Sequence, residues 1–257
     1  MRPAHATFAA ALAALTCSPL LAAAPRNTVW LEDLHIEDAN AVETSLIYEY
    51  QTTDFKAFEA GTDVLTLRLH AGLSERLELA PVVRVRQRSV DPLQLHELGA
   101  EARVRAIGEP DLPNLLVYGA YYNDTSLERD HRMLAGGAGR LYFGRLFVSA
   151  DLRPSLGLGG DRDDAFELWM GAGAGFMFLP DRELTAGIET FAIVPITGER
   201  LSDPTYGAAA TSATCYYGPS LSFRRGPFWT AASAVSGYFL LDGASDLLVR
   251  WMVGVGQ

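Results

Sequence analysis

The sequence predicts an all-β protein that folds as a closed antiparallel up-and-down transmembrane β-barrel of about 12 strands. Three observations lead to that prediction. Apolar and polar residues alternate with a period of two, several alternating segments exceed nine residues, and longer and shorter connections follow one another along the chain. Successive side chains of a strand point to opposite faces, so each segment has one apolar and one polar face.

The composition is that of a folded chain and excludes several classes of protein. Of the 257 residues, 49 % are hydrophobic and 20 % are charged, and the formal net charge is −10. This acidity argues against a nucleic-acid partner, because binding to phosphates depends on basic residues. No stretch of 18 consecutive apolar residues follows residue 30, so no transmembrane helix is predicted there.

Residues 1–24 have the features of a signal peptide for export. Arg2 gives a short basic start, an apolar run extends from residue 8 to residue 15, and Ala22 and Ala24 offer small residues for cleavage. A buried N-terminal helix is the alternative interpretation. Removal of this segment would also remove Cys17, leaving Cys215 as the one cysteine and no possible intrachain disulfide.

Residues 25–42 form a separate segment before the first strand, and residues 43–257 form the barrel. Trp30, Leu31, Leu34 and Ile36 stand among acidic and amide residues in this N-terminal segment. Two interpretations remain open: a loose periplasmic segment, or a plug that inserts against arginines inside the barrel.

Twelve strands follow from the alternation and from the turn residues between them. In the second strand, for example, Leu65, Leu67 and Leu69 alternate with Thr66, Arg68 and His70. The strands are predicted at residues 43–53, 62–73, 76–88, 95–107, 114–123, 132–142, 145–154, 165–178, 183–194, 211–224, 227–240 and 245–256. Strands of this length suit a tilted crossing of a bilayer better than a soluble sheet.

The connections and the even strand count favour an outer-membrane barrel over a soluble sandwich or soluble barrel. Short turns such as Phe143-Gly144-Arg145 and Arg225-Gly226-Pro227 lie at one end, and most of the longer, more acidic loops lie at the other. Every backbone amide must be paired in lipid, and an open sheet would leave its edges unpaired. We therefore expect the outer membrane of a Gram-negative-type cell, with outer-membrane lipid as a partner.

A lipid-facing apolar surface forces the polar face of each strand into the lumen. The predicted lumen-lining residues are Arg68, Arg84, Arg86, Glu97, Glu101, Arg103, Arg105, Arg140, Asp151, Arg153, Glu189 and Arg250, and Glu43, Glu49, His70, Glu78 and Glu167 share these faces. Arginine and acid alternate between neighbouring strands, which predicts cross-strand ion pairs. Arginine suits such pairs because its guanidinium binds a carboxylate through two parallel hydrogen bonds.

Two interpretations of these charges remain open. Arg84, Arg86, Arg103 and Arg105 could attract small anionic or aromatic solutes into a narrow polar pore. Alternatively, the charges could form an internal network that fills and stiffens a small barrel.

Aromatic residues near the predicted strand ends, including Tyr121, Tyr122, Tyr142, Phe143, Phe176, Phe178, Phe228, Trp229, Tyr238, Phe239 and Trp251, are expected to form interfacial girdles.

The sequence contains few catalytic or metal-binding motifs. The five histidines include no His-x-x-x-His pair, a single remaining cysteine cannot form a thiolate site, and no Gly-x-Ser-x-Gly elbow occurs. The Asn-His-x-Ser-Asn-Gly segment of twelve-stranded outer-membrane phospholipases is also absent. No metal, cofactor or catalytic residue is predicted, although a Ser-His-acid site that uses His70 would need no sequential motif.

The C-terminal part of the chain resembles the outer-membrane barrel family of transporters linked to the meta-pathway of phenol degradation. The resemblance rests on Tyr217-Gly218-Pro219-Ser220-Leu221-Ser222-Phe223, on Phe228-Trp229-Thr230-Ala231, and on the stretch from Leu248 to Gly256. It implies a channel or transporter without naming a solute, and it carries over no catalytic residue.

The function predicted from sequence is a passive channel or transporter for small solutes. A closed structural barrel whose loops bind partners is the second interpretation, and a lipid-modifying outer-membrane enzyme is a distant third. The sequence does not indicate an oligomeric state.

Overall fold

A computed structural model describes residues 35–52, 61–88, 92–109, 112–125, 130–159, 164–178, 184–198, 213–239 and 245–256. The predicted signal peptide at 1–24 lies outside the described residues, as does most of the segment at 25–42. The twelve strands are β1 Val42–Thr52, β2 Thr62–Ser74, β3 Leu77–Arg88, β4 Gln94–Glu109, β5 Leu112–Asp124, β6 Asp130–Phe143, β7 Leu146–Leu158, β8 Phe166–Met177, β9 Leu184–Thr197, β10 Thr214–Arg225, β11 Phe228–Phe239 and β12 Ser245–Gly256.

The sheet closes on itself, which confirms the predicted barrel. Each strand pairs antiparallel with its sequence neighbours, and β1 pairs with β12 over ten residues from Glu43↔Gly256 to Thr52↔Leu247. Closure leaves no unpaired edge in the sheet, as a lipid environment requires. None of the described residues belongs to a helix that is long and apolar enough to span a membrane.

Most predicted strand boundaries agree with the structure to within two residues, and β7 shows why some do not. The prediction ended this strand at Pro154, whereas it continues to Leu158. Its alternation persists there, since Ser155 and Gly157 are buried and Leu156 is exposed. Proline and glycine usually interrupt strands, so these residues had indicated a loop.

We call the end of the barrel that holds Val42 and Gly256 the short-turn end. Four of the five connections at this end have two residues. Gly144 and Gly226 adopt φ values of 66° and 59° in two of these turns. This left-handed region carries no steric cost for glycine, which explains the residue type at both turns.

The outer surface of the barrel is an apolar belt. In β7, for example, Leu146, Val148, Leu152 and Leu156 are all exposed, and they alternate with buried residues on the other face. A continuous exposed surface of large apolar side chains is unfavourable in water and matches the lipid-facing band of outer-membrane barrels.

Two of the aromatic residues expected in the girdles point inward instead. Tyr121 and Trp251 are exposed on the outer face, whereas Tyr122 and Trp229 are only 4 % and 5 % exposed. The Tyr122 hydroxyl donates to Glu101 Oε1 over 2.5 Å, and Trp229 Nε1 donates to Glu43 Oε2 over 2.9 Å. Position along the strand had suggested a girdle, but the alternation within the strand decides the face.

Candidate functional site: the barrel lumen

The lumen has two chemically different walls. Strands β2 to β7 contribute most of the buried charged residues, including Glu78, Glu101 and Arg103. Strands β9 to β12, together with β1, contribute a buried cluster of Ile47, Phe191, Ile193, Tyr216, Trp229, Ala231, Val235 and Met252, against which Trp169 of β8 packs. Any solute in the lumen would therefore have a charged wall on one side and an apolar, aromatic wall on the other.

The sequence-predicted residues occupy the inner face of these strands. Glu97, Glu101, Arg103, Arg105, Arg140, Asp151 and Glu189 are buried, and Arg68, Arg84, Arg86, Arg153 and Arg250 are half-buried. They do not form one continuous ladder. The structure separates them into a close-packed layer at the short-turn end and a more accessible set farther from it.

Glu78 is the centre of the close-packed layer, which we call the base. Its Oε1 accepts hydrogen bonds from Arg103 Nη1 at 2.9 Å and pairs with His70 Nδ1 at 2.7 Å. Its Oε2 accepts the backbone N–H of Glu37 at 2.9 Å. Glu78 and Arg103 are 0 % and 1 % exposed, so both charges are compensated inside the protein and contact little solvent.

Residues 35–41 fold under the barrel and add to the base. Ile36 is fully buried against Leu116, Tyr118 and Ala138 from the inner face. Gly72 packs so closely below this segment that a Cβ there would lie 2.0 Å from the Asp38 carbonyl oxygen. Backbone hydrogen bonds from Asn40 N to Gly72 O and from Gly72 N to Ala41 O hold the two together.

Five arginines farther from the short-turn end define what we call the arginine chamber: Arg68, Arg84, Arg132, Arg153 and Arg250. Each contacts an acid, in the pairs Arg68–Glu101, Arg84–Glu97, Arg132–Glu97, Arg153–Asp151 and Arg250–Glu49. The arginine side chains are 11–21 % exposed, while Glu97, Glu101 and Asp151 are 0–8 % exposed. The guanidinium groups therefore face the accessible space and most of the acids lie behind them.

A stack of planar groups crosses the opposite wall beside this chamber. The Arg153 Cζ atom lies 4.2 Å from the centroid of the Trp169 ring. Trp169 stacks on Phe191, and Phe191 stacks on Tyr216, each with centroids 4.7 Å apart and ring planes within 19° of parallel. We call these four groups, on β7 to β10, the planar stack.

Sequence reasoning missed Arg132 and the three aromatic residues of the planar stack. Arg132 lies near the start of β6 and shares the inner face with Leu134 and Gly136, so the alternation contained the signal. The stack had no comparable signal, because Trp169, Phe191 and Tyr216 are far apart in sequence and only the strand register brings them together.

No metal centre is found within the described part of the chain, where no three histidine, cysteine, aspartate or glutamate residues are grouped to hold an ion. The chemistry available in the lumen is that of guanidinium groups, carboxylates and aromatic rings. These groups bind and orient solutes through charge, hydrogen bonds and stacking.

A closed twelve-stranded barrel with an apolar outer belt and a charged lumen belongs to the structural class of outer-membrane β-barrels. The chain is similar to the COG4313 outer membrane channel from Pseudomonas putida F1, with a TM-score of 0.60 and 14 % identity over 90 % of this chain and 100 % of that one. It is also similar to the NanC porin, with a TM-score of 0.52 and 10 % identity over 82 % and 98 %.

The LpxR protein from Salmonella typhimurium has a TM-score of 0.50 and 10 % identity over 82 % of this chain and 99 % of that one. No protein-family model matches the chain, and no curated protein sequence matches it significantly. At identities this low, the similarity shows a shared fold, and the function must be argued from the lumen.

Proposed function

We propose that this chain is a passive outer-membrane channel for small anionic or aromatic solutes. The observation that carries the proposal is the layering of charge in the arginine chamber. Guanidinium groups lie in front, and three of the four partner acids are almost fully buried behind them. Fixed positive charge at the accessible surface raises the local concentration of anions, even where the total lumen charge is nearly balanced.

The two sequence interpretations of the arginines apply to different levels of the lumen. Arg103 and Arg105 belong to the base, where Arg103 is paired with Glu78 and Arg105 donates to the carbonyl oxygens of Glu75 and Ile36. They act as structural groups. Arg84 belongs to the chamber and is among the groups that attract solutes.

The N-terminal segment at 25–42 is proposed to act as a plug. The described part supports this role, because Ile36 fills a pocket between Leu116, Tyr118 and Ala138 at the short-turn end. Conduction through the short-turn end would then require this segment to move.

Residues 1–24 are proposed to be the export signal, which N-terminal sequencing of the mature protein from outer membranes would test.

Conductance in a planar bilayer under a salt gradient tests the channel directly. Replacing both Arg84 and Arg250 by glutamine should shift the reversal potential away from anion preference. Replacing both Arg145 and Arg225, which are exposed at short turns, by glutamine provides the matched loss of two positive charges outside the chamber. Equal reversal potentials for the double variant and the control would exclude the chamber as the source of selectivity.

We propose, from the sequence resemblance, that the chain is a transporter of the kind linked to the meta-pathway of phenol degradation. The motifs that suggested this lie in β10, β11 and β12, the last of which closes the barrel against β1. Growth on an aromatic carbon source, compared between a deletion strain and a complemented strain, tests that assignment. Unchanged growth after deletion would contradict it.

One arrangement in the base favours a second candidate, a lumenal hydrolase. Ser45 Oγ lies 3.2 Å from His70 Nε2, and His70 Nδ1 lies 2.7 Å from Glu78 Oε1, the order of contacts in a Ser-His-acid site. Ser45 is only 2 % exposed, so a substrate has little access to the Ser45 hydroxyl oxygen that would attack it. A serine-reactive fluorophosphonate probe should therefore leave the barrel unlabelled, and labelling that His70→Ala abolishes would support the enzyme.

A further inference from the structure

We infer that the junction of the arginine chamber and the planar stack is a binding subsite for a planar aromatic carboxylate. The inference rests on the proposed channel function and specifies the solute class that the lumen would recognise. The ring of the solute would contact the lumen-facing edge of Trp169 and its neighbours. Its carboxylate would contact Arg153 and Arg250.

The planar stack would contact the ring of the solute. Arg153, Trp169, Phe191 and Tyr216 come from four consecutive strands and form one column of stacked planar groups, in which Phe191 and Tyr216 are only 3 % and 1 % exposed. Aromatic rings prefer edge-to-face or offset stacked contacts with other rings, and these contacts add to simple apolar burial. Trp169 remains half-buried rather than fully buried, so part of the stack still faces accessible space.

The indole N–H of Trp169 gives an independent indication of a ligand. Its Nε1 atom is buried, and no acceptor among the described residues lies within hydrogen-bond distance. A buried donor without an acceptor is unfavourable by about 1–3 kcal/mol, so native structures usually supply a partner such as water or a ligand. A carboxylate beside Arg153 would provide an acceptor at this position.

The charges around the subsite favour an anion. Arg68 on β2, Arg153 on β7 and Arg250 on β12 each present a partly exposed guanidinium group to the chamber. Their partner acids are Glu49, Glu101 and Asp151, and Asp151 is fully buried behind Arg153. An anion between the guanidinium groups would offset their mutual repulsion.

Arg153 connects the two parts of the subsite. Its Nε donates to Asp151 Oδ2 over 2.8 Å, and Asp151 Oδ1 accepts from the Tyr118 hydroxyl over 2.6 Å. These hydrogen bonds fix the guanidinium plane against the Trp169 ring. The position of the charge relative to the aromatic surface is therefore set before a solute arrives, and a ligand with both groups at the matching spacing is favoured.

Equilibrium titration of the full-length barrel, refolded in detergent micelles, tests the inference with three probes. Benzoate carries both ring and charge, cyclohexanecarboxylate carries the charge without an aromatic ring, and benzyl alcohol carries the ring without the charge. We expect benzoate to bind roughly 3- to 10-fold more tightly than cyclohexanecarboxylate, since an aromatic contact contributes about 0.5–1.5 kcal/mol. We also expect benzoate to bind more tightly than benzyl alcohol, which lacks the carboxylate.

Variants separate the two contacts. Trp169→Leu should remove the preference for benzoate over cyclohexanecarboxylate, and Trp169→Phe should retain most of it. Arg153→Gln should weaken both carboxylates and leave benzyl alcohol unchanged. Trp251→Leu on the outer face and Arg145→Gln in a turn are the matched controls, and circular dichroism checks that each variant is folded.

Equal affinity of the wild-type barrel for benzoate and cyclohexanecarboxylate would overturn the subsite. An unchanged preference in Trp169→Leu would do the same. Bilayer conductance distinguishes this failure from failure of the channel itself. A barrel that conducts but does not prefer benzoate would support the channel and contradict the subsite. A barrel that prefers benzoate but does not conduct would support the subsite and contradict the channel.

Discussion

Substitution of Gly72 by alanine is the sharpest test of the proposed plug. A Cβ atom at this position would lie 2.0 Å from the Asp38 carbonyl oxygen and 2.5 Å from the Glu37 carbonyl oxygen. Both neighbours are backbone atoms, so rotation of a side chain cannot relieve the contact. The N-terminal segment must move away by about 1 Å or more to restore ordinary van der Waals separation.

That movement weakens a defined set of contacts. Two backbone hydrogen bonds join Gly72 to Asn40 and Ala41, at 2.8 and 3.0 Å. Each contributes about 0.5–1.5 kcal/mol, and burial of Ile36 contributes about 1.5–3 kcal/mol. Full release of the segment therefore removes roughly 2.5–6 kcal/mol of the interactions that hold it in the barrel.

Single-channel conductance and limited proteolysis measure the outcome. Gly72→Ala should conduct more than the wild type, and its residues before 42 should be cleaved faster. Gly119→Ala is the matched control, because a Cβ there meets only the Leu134 carbonyl oxygen at 3.6 Å. If Gly72→Ala and Gly119→Ala give the same conductance and the same cleavage rate, residues 35–41 do not close the lumen.

Two further substitutions test packing inside the barrel, the first by urea unfolding in detergent micelles and the second by tryptophan fluorescence. Glu78→Leu leaves Arg103 buried without its carboxylate and should lower the free energy of unfolding by about 3–5 kcal/mol; a loss below that of the exposed Arg145→Gln control would contradict the network. Gly254→Ala places a Cβ 2.2 Å from Trp229 Nε1 and should displace the indole from Glu43. The displaced indole should give a red-shifted tryptophan emission, and an unchanged spectrum would argue against the packing of Trp229 on Gly254.

Much of the fold was predictable because it follows from one local rule. Alternation with a period of two identifies a strand and assigns each residue to a face without knowledge of its partners. Arg84 and Glu97 could therefore be placed in the lumen from sequence. Their direct contact depends on the β3–β4 register, which the alternation alone does not determine.

Departures from regular alternation explain part of what sequence reasoning missed. The β3–β4 register shifts at Arg84 and Val85, and on the opposite strand His96 and Glu97 are both buried although they are adjacent. His96 Nδ1 then lies 3.3 Å from Asp124 Oδ1. A bulge of this kind changes which face a residue occupies, and no residue in the sequence marks its position.

The near-absence of lysine connects the structural and functional interpretations of the lumen. Lys56 is the one lysine of the chain, so the lumenal cations are arginines. A guanidinium can bind a carboxylate at its edge while its flat face lies on an aromatic ring, as Arg153 does with Asp151 and Trp169. A lysine ammonium has no flat face, so stacking on an aromatic ring would not fix its position beside the carboxylate.

The same arginines can therefore fill the barrel and present charge to a solute. Pairing with buried acids fixes Arg68, Arg84 and Arg153 in place without removing their accessible edges from the chamber. A network that stiffens a small barrel also holds its binding groups at fixed spacing, which reduces the entropy lost when a solute binds. Replacing Arg153 by lysine should accordingly reduce the free energy of benzoate binding more than it reduces the free energy of unfolding, because the charge remains while its orientation is lost.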